Sequence, residues 1–117
     1  MIWTLSQVAL GGAIGSALRF LTVAMVGAPL ATMIVNVAGS FVMGVLFIIL
    51  APRITAAPFL MAGILGGFTT FSAFSLDAYK LYEAGLVGQA AGYVAGSVVL
   101  SILALVLGVV FARGVLA

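Results

Sequence analysis

Two lines of uncharged hydrogen-bonding side chains run through this chain at four-residue intervals. Thr32, Asn36 and Ser40 form the first, and Gln89, Tyr93, Ser97 and Ser101 the second. Between them lies "GGFTTFSAFS" (66–75), with two glycines, four hydroxyls and three phenylalanines spaced three apart. Residues at i and i+4 share a helix face, so each line is a polar stripe on an otherwise apolar cylinder. The chemistry open to such groups is hydrogen-bond donation by hydroxyls, amides and a phenol. No carboxylate stands among them, so neither a proton relay nor a cation antiporter finds its acid here. Neutral donors suit a passing anion, because a ring of fixed cations would hold it too tightly to release. Two readings stand. Ser, Thr and Asn glue helices together in membranes, and lines of intramembrane polar groups mark routes. Glue does not need to continue over two turns.

The opening stretch adds two devices. Phe71 and Phe74 are three residues apart and can share a face. An apolar face at helical spacing is ordinarily packing, but ring edges carry partial positive charge and can replace part of an anion's hydration. "GGFTTF" is also a poor continuous helix, since glycine is costly in helix interiors. Where a helix unwinds at membrane depth its freed carbonyls line a site and can hold a cation.

These groups need a scaffold, and the composition dictates which. Of 117 residues, 66% are hydrophobic and 5% charged, with a mean hydropathy of +1.46. Soluble domains carry about 25% charged residues, so the chain is an integral membrane protein whose surroundings are the lipid bilayer. It has no cysteine and no histidine. That removes disulfides, thiolate metal sites and the usual general base. A net charge of +2 from six charged residues gives nucleic acid nothing to bind. No lysine or arginine precedes the first apolar run, so it reads as a spanning helix rather than a cleavable signal.

A span takes about 20 apolar residues. The punctuation at "VGAPLA" (26–31), "APRITAAP" (51–58) and "YEAGLVG" (82–88) predicts a single all-α membrane domain, 1–117. Its four transmembrane helices fall at about 4–26, 30–50, 57–82 and 86–112, the third broken near its middle. Gly11 and Gly15, Gly63 and Gly67, and Gly88, Gly92 and Gly96 fall four apart, a spacing that lets helix backbones approach in lipid. The triple in particular is expected to pack. Arg53 and Arg113 fall on one side of the membrane, and Lys80 and Arg19 on the other. That balance leaves the positive-inside rule almost nothing to act on. Insertion in both orientations follows, and with it an antiparallel dimer.

"GGAIGSALRF", "TMIVNVAGSFVMG" and "GGFTTFSAFS" together resemble the Fluc (CrcB) family of small dual-topology fluoride channels, and the similarity covers essentially the whole chain. The resemblance implies an antiparallel homodimer with two fluoride pores and passive fluoride export across the bacterial cytoplasmic (inner) membrane, protecting the cell from fluoride toxicity. It implies Asn36 as the pore amide, and Phe71 and Phe74 as the rings facing fluoride. Thr32, Tyr93, Ser97 and Ser101 would form a polar track, with Ser40 extending the second-helix stripe. It implies Arg19 near the aqueous vestibule, and a structural sodium ion at the dimer centre held by the backbone carbonyls of Gly66 and Thr69. One position departs from the pattern. Asp77 stands where many members carry glutamate, and the shorter acid leaves open whether the same hydroxyl partners are reached.

Other classes fit less well. A small dual-topology multidrug-type exporter needs a protonatable carboxylate deep in a helix, whereas Asp77 and Glu83 lie near the end of the third. A non-conducting assembly subunit leaves the stripes without a use. An enzyme lacks a base–nucleophile pair.

Overall fold

The computed structural model of the chain describes residues 1–50 and 54–116. These are helical throughout apart from short connections and one break, with no strand among the described residues. Helix α1 covers Ile2–Val26 and α2 Leu30–Leu50. After a 3-10 turn at Ile54–Ala56, α3 runs over 58–68. It is wound with π-type turns at Pro58–Leu65 and ends in the short helical piece Gly66–Phe68. Helix α4 covers Phe71–Glu83 and α5 Val87–Leu116. α3 and α4 are the two halves of the third span, so four helical segments are long and apolar enough to cross a bilayer. Pro52 and Arg53 of the 51–58 connection lie outside the described residues.

The punctuation works as local chemistry requires. Gly27 takes φ +87°, a conformation that costs glycine little, and turns the chain into Pro29 just ahead of α2. Gly85, at φ +85°, ends α4. Its N–H bonds to the Tyr82 carbonyl and that of Leu86 reaches back to Leu81, both at 3.0 Å, closing a Schellman turn.

α1 packs along α3, and α2 along α5. The first pairing is built on glycines: Gly11 meets Gly63, Gly67 meets Gly12, and Gly15 meets the backbone of Ile64 and Phe68. A Cβ on Gly11 would lie 2.9 Å from the Gly63 Cα, and one on Gly67 2.6 Å from the Gly12 carbonyl oxygen. The second pairing rests on Gly44 against the Leu105 carbonyl and Gly108 against that of Phe41. In lipid there is no hydrophobic force between helices, so such close approach supplies the van der Waals contact that holds them. The third glycine set makes no such backbone approach within this copy. Gly88 and Gly92 have nothing within 4 Å, and Gly96 meets only the Met33 side chain. Their face of α5 is turned away from the other helices of this chain.

Candidate functional site

The third span breaks at Thr69 and Thr70, both extended (φ −87°, ψ 155° and φ −152°, ψ 128°). The glycines permit the break, and side chains complete it. Asn36, on the facing turn of α2, accepts the Thr70 N–H at 2.8 Å through Oδ1 and donates Nδ2 to the Thr70 carbonyl at 3.0 Å. Thr70 caps α4 by accepting the Ala73 N–H through Oγ1 at 3.2 Å. Thr69 turns its hydroxyl back onto the Leu65 carbonyl at 2.8 Å. Arg19, one turn beyond Gly15 on the α1 glycine ridge, donates Nε to the Gly67 carbonyl at 3.1 Å.

Beside the break opens a cleft of about 490 Å³ between α2, α4 and α5. Asn36 and Ser40 line it from α2, Gly66, Thr69 and Thr70 from the break, Phe71 and Phe74 from α4, and Ser97 and Ser101 from α5. Gly39 is what lets the break in so close, since a Cβ there would collide with the Thr69 methyl. The cleft lining includes no ionisable side chain. Its polar groups are hydroxyls, one carboxamide and backbone. The Ser97 hydroxyl is buried and has no hydrogen-bond partner.

The aromatic residues form a ladder. Phe71 and Phe74 have ring centroids 5.4 Å apart with planes tilted by 53°. Phe74 continues onto Tyr93 at 5.3 Å and 40°. Phe74 is buried, whereas Phe71 is 76% exposed and reaches out of the single copy.

The remaining expected residues fall elsewhere. Thr32 and Tyr93 are buried behind the cleft rather than lining it. Thr32 donates Oγ1 to Asp77 Oδ2 at 2.6 Å, so the shorter acid does reach a hydroxyl partner. The bond ties α4 to α2 behind Phe74. The Tyr93 hydroxyl is also buried, next to the Thr32–Asp77 pair. Gln89, the first residue of the fourth-helix stripe, is exposed and does not line the cleft. Arg19 sits against the helix break, which takes it out of the loop charge count. Arg53, outside the described residues, and Arg113 then stand against Lys80 alone.

Sequence reasoning did not find the Thr70 cap, the carbonyl partner of Arg19 or the partner of Asp77. A threonine immediately before the amphipathic run 71–83 was a readable N-cap signal. The other two depend on contacts between helices and had no local signal. Among the described residues no group of three or more His, Cys, Asp or Glu side chains could hold a metal.

Fold and cleft define the class: a small multi-pass helical membrane protein whose polar groups converge on one cleft beside a broken span. The comparisons with known proteins agree. The family described as CrcB-like protein, Camphor Resistance (CrcB), matches residues 6–109. The chain belongs to this family. It is 56% identical to a Cereibacter sphaeroides protein named fluoride-specific ion channel FluC, over 97% of this chain and 98% of that one. Proteins of the same name from Paracoccus denitrificans and Agrobacterium fabrum are 50% and 44% identical, covering 97% and 93% of this chain and 98% and 95% of theirs.

Proposed function

We propose that this protein is a fluoride-selective channel that lets the ion leave the cell passively across the cytoplasmic membrane. The observation that carries the reading is the cleft. It joins the Asn36 carboxamide, the Ser40, Ser97 and Ser101 hydroxyls and the Phe71–Phe74 ring pair, with no ionisable side chain in its lining. Neutral donors replace part of an anion's water without trapping it, and ring edges add a weak positive field. The names of the relatives supply the identity of the ion. Asp77 is hydrogen-bonded to Thr32 off the cleft and Glu83 is the last residue of α4, which leaves the exporter alternative without an acid in the cleft.

The working unit in this reading is an antiparallel homodimer. Phe71, Ser72 and Ser75 are exposed at mid-span on one copy, beside non-helical backbone at Thr69 and Thr70. Irregular backbone at membrane depth is tolerated only where protein or a water-lined cavity covers it. A second copy supplies that cover, and the difference of one residue in the loop charges imposes little orientation bias. Sodium fits the break, where the Gly66 and Thr69 carbonyls would hold it. It would add fixed positive charge between the subunits.

The test is efflux from liposomes loaded with fluoride or chloride, read by ion-selective electrodes after a potassium ionophore clamps the voltage. Fast fluoride release with chloride retained is expected. Equal release of both ions, or of neither, overturns the proposal. A tag placed at the C-terminus should be accessible from both sides of the membrane. Labelling from one side only would sink the antiparallel dimer.

A further inference from the structure

In an unbroken helix the Thr70 N–H would bond to the Gly66 carbonyl and the Ala73 N–H to that of Thr69. Here each of those amides is diverted by a side-chain oxygen. Asn36 Oδ1 takes the Thr70 N–H at 2.8 Å, and Thr70 Oγ1 takes the Ala73 N–H at 3.2 Å. The two carbonyls between them in sequence, Gly67 and Phe68, also lose their helical amides at the break, and that of Gly67 is satisfied by Arg19 Nε. Thr69, at ψ 155°, accepts no backbone or side-chain hydrogen bond among the described residues. The two carbonyls assigned to the cation are thus the two whose amides have been taken by other groups.

We infer that Asn36 and Thr70 are positioning residues of the cation site, freeing the Gly66 and Thr69 carbonyls by capturing the amides that would close the helix over them. Arg19 completes the device by pairing the Gly67 carbonyl, which keeps that group out of the ligand set. This rests on the sodium reading above. It differs from a pore role for Asn36 because it uses Oδ1, an acceptor, whereas an anion uses the N–H.

That difference makes the inference testable without measuring flux. The purified dimer is unfolded thermally across a sodium titration, with N-methylglucamine keeping ionic strength constant. A ligand bound only to the folded state raises the midpoint temperature by mass action, so the titration gives an apparent sodium affinity. Asn36→Ala and Thr70→Val each release one amide to re-pair its carbonyl, and the sodium affinity should fall at least about tenfold, the factor that 1.4 kcal/mol represents. Thr70→Ser keeps the capping oxygen and should retain the sodium response. Parent affinity in Asn36→Ala and Thr70→Val overturns the inference, as does a loss in Thr70→Ser equal to that in Thr70→Val. Should Thr70→Val fail to assemble, Asn36→Ala decides alone, and parent sodium affinity in that variant overturns the inference. A parent protein that sodium does not stabilise overturns the sodium reading itself.

Discussion

Ser97→Ala separates helix glue from ion path at a single atom. The Ser97 side chain is 4% exposed and its hydroxyl has no partner. If that hydroxyl glued helices, its loss would cost stability, about 0.6 kcal/mol on average for such a bond in a membrane. A buried hydroxyl left unpaired instead carries a desolvation penalty of about 1–3 kcal/mol, which alanine removes at the expense of one small atom's packing. The substitution should therefore be neutral or stabilising in detergent unfolding. Fluoride flux should nonetheless fall. A hydrogen bond to a charged partner is worth about 1.5–3 kcal/mol, and each 1.4 kcal/mol is tenfold. Occupancy at this point of the path should drop roughly tenfold to a hundredfold, seen as slower efflux from liposomes. A variant that is destabilised by about 1 kcal/mol yet conducts like the parent would refute the reasoning, and Ser97 would be glue after all.

Four further substitutions probe the site and the helices that hold it. Phe71→Ile and Phe74→Ile keep apolar bulk and remove the electropositive edges; flux should drop strongly in both while the dimer survives gel filtration, and two normally conducting variants would reduce the ladder to packing. Asn36→Asp turns a donor into an acceptor and places charge in the cleft. At ~4 Å two like charges repel by about 4 kcal/mol at an effective dielectric near 20, so conduction should be lost, and flux equal to the parent would remove Asn36 from the path. Gly15→Ala drives a Cβ into the Ile64 carbonyl. Overpacking of this kind costs about 1–3 kcal/mol and should also lift Arg19 away from Gly67, so both unfolding stability and flux should fall; an unchanged unfolding curve would show that α1 has room to move.

The spans were legible because their signals are local. Apolar runs, the Gly27–Pro29 punctuation and the polar turn at 82–88 each act within a few residues, and a bilayer leaves helix as the one structure that satisfies such backbones internally. The weak point at Gly66–Thr70 was legible for the same reason. The glycine spacing alone was ambiguous. Three sets shared it, yet Gly11, Gly15, Gly63 and Gly67 all meet backbone across the α1–α3 contact while Gly88 and Gly92 meet nothing in this chain. Spacing states that a backbone can be approached, and only the arrangement of helices decides by what. Thr32 and Tyr93 belong to the same stripes as Asn36 and Ser97 but lie behind the cleft, because Thr32 is drawn to Asp77 and Tyr93 stacks on Phe74.

Asn36 shows why the break and the path are one construction. Its carboxamide has one acceptor oxygen and two N–H donors. The oxygen and one N–H are spent on the Thr70 backbone, leaving one donor on a residue that lines the cleft. The bidentate grip fixes the plane of the amide, so the remaining N–H is held in direction rather than free to rotate. The same grip fixes Thr70, which caps the helix carrying Phe71 and Phe74 on its first turn. The donor and the two rings are therefore registered to each other through one backbone unit. Neither glutamine nor serine at position 36 could reproduce this. Glutamine adds a methylene that displaces the grip, and serine has a single oxygen for two backbone partners. A polar stripe read as a row of equivalent donors misses the distinction: Ser40 and Ser101 can turn their hydroxyls to suit a passing ion, whereas Asn36 is held in place before the ion arrives.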